Sequence, residues 1–138
     1  MKKVIVFMLL IFFSCNKKDE IIFNEIEGIW VIEKIKYIDK DITSEFFVNT
    51  LIFEKGKMSN FISIPRTENG EAEDALIYIK SEGGKSYLFI ESLNKKMYGN
   101  YEINFYENPE TNLTVCELKS KNTFIKLNKL PTVSDRIW

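Results

Sequence analysis

Few side chains in this chain are of the kind that make or break covalent bonds, and the most telling is the thiol of Cys15. It follows Ser14 at the end of an unbroken apolar run, Val4 to Phe13, behind the basic start Met1-Lys2-Lys3. A small residue after such an apolar run is where a secretory leader is cut, and Cys15 stands directly after it. The other thiol, Cys116, lies in the strand-like run Leu113-Thr114-Val115-Cys116-Glu117-Leu118. It reads as a small buried apolar residue or as a reactive thiol. Activation of a thiolate needs cationic neighbours, and the run supplies none, so burial is the favoured account. With Cys15 modified, Cys116 has no partner for an intrachain disulfide.

What is missing narrows the remaining chemistry. The chain has no histidine, so Ser-His-Asp and Cys-His nucleophilic catalysis are out in their usual form. The commonest zinc and copper ligand is gone with it, and no paired cysteines replace it. Gly83-Gly84-Lys85 lacks the strand–loop–helix surroundings of a phosphate loop. Glu71, Glu73 and Asp74 cluster in a stretch that reads as a loop. Carboxylate chemistry is one account of them and a solvated loop is the plainer one. No catalytic residue, metal site or cofactor is assigned, and the chain is not expected to be an enzyme.

The first residues fit a secretory template: a positive start, an apolar core of about 7–15 residues and a small residue at the cut. The core is shorter than the roughly 20 residues a membrane span needs. With a cysteine next to the cut, residues 1–14 resemble a bacterial lipoprotein signal peptide, and the resemblance implies lipidation of Cys15. A short buried helix that happens to end in cysteine is the alternative. Each buried lipid CH₂ contributes about 0.8 kcal/mol, so several acyl chains on one cysteine would hold the protein to a membrane. Loss of Lys2 and Lys3 leaves 17 lysines and arginines against 20 acidic residues, a formal charge of −3. Such a domain has no overall electrostatic reason to bind nucleic acid or anionic headgroups. Lys17, Lys18, Asp19 and Glu20 follow at once and resemble the surface-export signal of Bacteroidetes lipoproteins. The expected location is the bacterial outer membrane, lipid-anchored on the cell surface. The same run also reads as a solvated charge cluster in a flexible tether over residues 15–25.

Beyond the tether, short β-rich runs alternate with turn signals. Strands are expected at 28–37, 50–54, 57–64, 75–80, 86–92, 97–106, 113–119 and 123–130, with a tight hairpin at Lys55-Gly56. Tyr101, Ile103 and Phe105 share one face of the sixth strand, and Glu102 and Asn104 the other. Leu76-Ile77-Tyr78-Ile79 and Tyr87-Leu88-Phe89-Ile90 are apolar on both faces. Either both faces are covered or the outside carries an apolar patch. The best helix candidate is Ser44 to Val48, capped by Thr43 or Ser44. Eight short strands joined in sequence predict an all-β, antiparallel up-and-down meander. Closure into a barrel removes both of its edges.

Glu27-Gly28-Ile29-Trp30-Val31-Ile32 at the head of such a meander resembles the lipocalin and wider calycin pattern, and Phe53-Glu54-Lys55-Gly56-Lys57-Met58 is similar to the second hairpin of lipocalin-like lipoproteins of Bacteroidetes. The resemblance implies a lipocalin-like β-barrel over residues 26–130, followed by a C-terminal tail, 131–138. It implies that Gly28 relieves crowding at the closed end and that Trp30 plugs it. A basic residue from beyond the last strand packs over the tryptophan in that family, and Arg136 is the residue in the matching place. The leading expectation is a membrane-anchored module that binds a small apolar or amphipathic ligand. Leu51, Phe53, Tyr101, Ile103 and Phe105 would line the site, with Ser44–Val48 as a lid. The same face also reads as packed core, because eight strands give an interior that side chains can fill. A filled barrel would instead be a non-catalytic structural or interaction module contacting another envelope protein, with Arg136-Ile137-Trp138 as one contact anchor.

Overall fold

A computed structural model describes residues 17–131 of the chain. A helix, α1 (residues 17–26), leads into nine strands. These are β1 (Gly28–Tyr37), β2 (Lys40–Asp41), β3 (Thr50–Glu54), β4 (Asn60–Ile64), β5 (Glu73–Glu82), β6 (Lys85–Glu91), β7 (Gly99–Glu107), β8 (Thr114–Lys119) and β9 (Thr123–Lys129). From β3 to β9 each strand pairs antiparallel with the next, and β1 pairs with both β3 and β9. Because β2 is only a two-residue spur on β1, the architecture is the expected eight-stranded antiparallel meander closed into a barrel.

Alternation explains why the strands lie this way round. Leu51 and Phe53, Ile62 and Ile64, Ala75 and Ile77, Leu88 and Ile90, and Tyr101 and Ile103 are each two apart, buried, and on the inner face. β1 changes parity partway. Trp30 and Ile32 point in, and then Ile35 does, because Glu33 is an extra residue in the pairing with β9. Such a bulge lets both Glu33 and Lys34 face solvent without losing the core positions on either side.

α1 occupies residues 17–26, where the sequence reads as a flexible tether. Asp19, Ile22, Phe23 and Ile26 stand at i, i+3, i+4 and i+7, which puts them on one helical face. Phe23 and Ile26 are buried and Ile22 packs against the core. The helix lies across the barrel end formed by the start of β1 and the end of β9. The segment expected as a helix at Ser44–Val48 is instead one 3₁₀ turn, Thr43–Glu45, followed by extended chain from Phe46, which bridges to Thr67. The β3–β4 connection is a five-residue loop, 55–59, longer than the expected tight hairpin. Gly56 is required there, since a Cβ would sit 2.0 Å from the Ser59 carbonyl oxygen.

Candidate functional site

At the end covered by α1, Trp30 has no exposed surface, and its indole N–H donates to the Ile26 carbonyl at 2.6 Å. The Phe105 ring lies 6.3 Å from it. Among the described residues the cation over the indole comes from the last strand itself. Lys129 Nζ lies 5.5 Å from the ring centroid and donates to the Glu25 carbonyl at 3.1 Å. Arg136, Ile137 and Trp138 fall outside the described residues, as does Cys15. Gly28 is needed for its backbone rather than for space. Its φ is +124°, a region that side chains disfavour, while a Cβ would meet Lys129 Cε at an ordinary 3.8 Å.

Loops close the opposite end. Ile42 and Phe46 from the β2–β3 segment and Met97 from the β6–β7 loop are buried. Lys96 holds both carboxylate oxygens of Glu45 at 3.1 Å. Thr123 Oγ1 donates to the Lys96 carbonyl at 2.6 Å, and Tyr101 OH donates to the Met97 carbonyl at 2.7 Å. Beside Glu45, Thr67, Asn94 and Lys96 a notch of about 40 Å³ remains, and a groove of about 440 Å³ runs on the surface between Asn69–Glu73 and Leu93–Lys95.

The five expected ligand-lining residues do point inward, but they do not frame a mouth. Leu51, Phe53 and Tyr101 have no exposed surface and Ile103 almost none. Leu51 pairs with Trp30 and Phe53 with Gly28, and Phe105 leans on Trp30. Three of the five therefore belong to the plugged end, while Tyr101 reaches the other. A water-sized void beside Leu51, Ile62, Leu88, Ile90 or Leu118 would leave accessible surface on its wall, and all five have none. In this conformation the interior is packed core.

The titratable groups inside are held neutral. Burial pushes the Tyr101 phenol up to about 12 and the Cys116 thiol well above its usual range. Cys116 is thus the small buried apolar residue of the plainer account. The acidic cluster separates into individual ties. Glu73 accepts hydrogen bonds from Ser92 Oγ and from the Leu93 backbone N–H, while Asp74 accepts from Ser63 Oγ at 2.8 Å. Asp19 caps a backbone group, accepting from Ser81 N–H at 2.9 Å, whereas Lys17, Lys18 and Glu20 are exposed.

The outer wall is where apolar side chains remain in water. Phe61 pairs with Leu76, and Tyr78 with Phe89, across β4, β5 and β6. The Tyr78 and Phe89 rings are 6.3 Å apart, and Tyr98 meets Phe89 edge-on at 5.4 Å. Leu76, Tyr78 and Tyr98 are each 40–52% exposed. The runs apolar on both faces in the sequence therefore mark a continuous aromatic strip on the outside of the barrel.

Sequence reading missed Lys129 and α1, although both left a signal. Lys129 continues the inward parity of Ile125 and Leu127, and α1 carries the i, i+3, i+4, i+7 spacing noted above. The family models, the curated proteins and the solved structures contain no match to this chain.

Proposed function

We propose that this chain is a lipid-anchored envelope lipoprotein of the lipocalin-like kind whose barrel serves as a non-catalytic contact module for another envelope protein. One contrast carries the reading: the inside of the barrel is full while its outside displays the strip Phe61, Leu76, Tyr78, Phe89 and Tyr98. Contiguous exposed apolar surface marks interaction sites, and aromatic anchors dominate their energetics. The anchor on Cys15 and the export run Lys17 to Glu20 rest on the sequence pattern. They give the module its place, on the outer face of the outer membrane.

Photo-crosslinking tests this in cells, with a reactive residue at position 78 or at Lys126 on the opposite wall of the full-length protein. A discrete adduct from position 78 that is absent at position 126 and lost on Phe89→Glu is the expected result. Equal adducts from both walls, or none, would sink the reading.

Occupation of the barrel by a small apolar or amphipathic ligand is the second reading, and one observation favours it. The end away from α1 is closed by loop side chains, Ile42, Phe46 and Met97, rather than by a strand or helix. Displacing them would open the core from that end. Native mass spectrometry before and after organic extraction decides the matter. A stoichiometric extra mass removed by extraction favours the ligand, and a bare mass the contact module.

A further inference from the structure

The amino end of α1 sits at one place on the barrel rim. Asp19 is tied to the backbone of Ser81 at the end of β5. Asp19, Glu20 and Phe23 share a groove of about 420 Å³ with Lys55, Lys57 and Met58 of the β3–β4 loop. Cys15 lies two residues before Lys17, so extended chain can separate it from the helix by no more than about 7 Å. A lipid on Cys15 would therefore hold this part of the rim at the bilayer surface, with no spacer between.

The residues presented there are unusual for a soluble loop. Met58 is 99% exposed at the loop tip, and Ile21 is 58% exposed on α1. Lys55 and Lys57 precede Met58 in the loop, Lys17 and Lys18 begin the helix, and all four are exposed. Among the described residues none of the four is in an ion pair. Around the β3–β4 loop and the first turn of α1 these four lysines stand beside three carboxylates, Asp19, Glu20 and Glu54, on a domain that is acidic as a whole. An apolar tip next to lysines is a composition that sits at a headgroup boundary, with the apolar side chain below the phosphates and the ammonium groups level with them.

We propose that the β3–β4 loop is a second membrane contact. Met58 enters the interfacial layer of the leaflet that carries the acyl chains, and Lys55 and Lys57 meet the phosphates of its anionic lipids. The proposal rests on the lipid-anchor reading of Cys15. It fixes which way the barrel faces: the aromatic wall stands upright from the bilayer, and the loop-closed end points away from it.

The test uses full-length protein made in a bacterial host and reconstituted into phosphatidylcholine–phosphatidylglycerol vesicles, some with brominated acyl chains. Met58→Trp is compared with Leu93→Trp, an equally exposed site at the far end, and each is read as the emission added over the unsubstituted protein. Neither substitution removes a core contact. The expected result is a blue shift and bromolipid quenching for the tryptophan at 58, neither at 93, and weaker quenching when Lys55 and Lys57 are changed to Glu. Quenching at 58 no greater than at 93 would overturn the proposal. Intact mass reads the anchor separately. If the acyl mass is missing, the anchor reading fails on its own, and a maleimide lipid coupled to the Cys15 thiol supplies the same tether, so that quenching still decides.

Discussion

Lys129 and Trp30 meet across the seam where the barrel closes, one ammonium group serving both the indole face at 5.5 Å and the Glu25 carbonyl in the last turn of α1. The pair locks the helix, the first strand and the last strand at a single point.

Removing that ammonium should loosen all three. A cation over an indole is worth about 0.5–1 kcal/mol, and a cation at a helix C-terminus about 0.3–1 kcal/mol. Lys129→Met keeps the aliphatic stem and should cost about 1 kcal/mol in urea unfolding, while Lys129→Arg should cost little. Equal stability of the Met variant and the parent would show that the contact contributes nothing.

Tyr101 gives a pH signature. Its phenol is raised from 10.0 to about 12 by burial. Between those values the unfolded chain has lost a proton that the folded chain keeps, so stability should fall as pH rises from 10 towards 12. Tyr101→Phe should remove that part of the slope. At neutral pH it should cost about 1–2 kcal/mol, because the Met97 carbonyl loses its donor. Chemical denaturation across the alkaline range measures both.

The packed interior can be tested by emptying it. Leu88 has no exposed surface, and Leu88→Ala should cost about 2–5 kcal/mol. An apolar void in a core stays dry and takes up small apolar molecules, so benzene should raise the melting temperature of the variant and leave the parent unchanged. Benzene stabilising both proteins alike would mean that the parent barrel is already hollow.

The β1–β2 turn holds a correctable strain. Ile38 and Asp39 form a two-residue hairpin with φ of 47° and 62°. A left-handed conformation costs an ordinary residue about 1–2 kcal/mol, and a β-branched residue tolerates it worst. The Ile38 side chain is exposed, so Ile38→Asn should stabilise the protein by about 1 kcal/mol. A lowered melting temperature would indicate that Ile38 makes a contact worth more than the strain.

Strand positions were legible because period-two alternation depends only on which side of a pleat each residue occupies. Tyr101, Ile103 and Phe105 could be placed on one face from spacing alone, and closure followed from the need to satisfy two edges. Volume is not written in spacing, so whether that face lines a cavity or a core could not be read from it. The fill depends on Ile42, Phe46 and Met97, which come from loops of no regular period. The helix was hidden for a related reason. Its apolar stripe spans barely two turns and begins among Lys17, Lys18, Asp19 and Glu20, whose charges suggest linker. The aromatic strip was legible only in part: Tyr78 and Phe89 stood out on runs apolar on both faces, while spacing left open whether the second face was covered, and Phe61 and Tyr98 lie outside those runs.

The β1–β9 seam also bears on how the protein is made. Trp30 pairs with Lys129, near the two ends of the described chain, so no shorter piece can close the barrel. Until β9 is present, β1 and the latest strand each offer an open edge, and the plug around Trp30 lacks its cation. Such distant pairing places folding on the slow side, about milliseconds to seconds. A chain built this way stays pliable until almost all of it is available, so its fold sets in one late step rather than strand by strand.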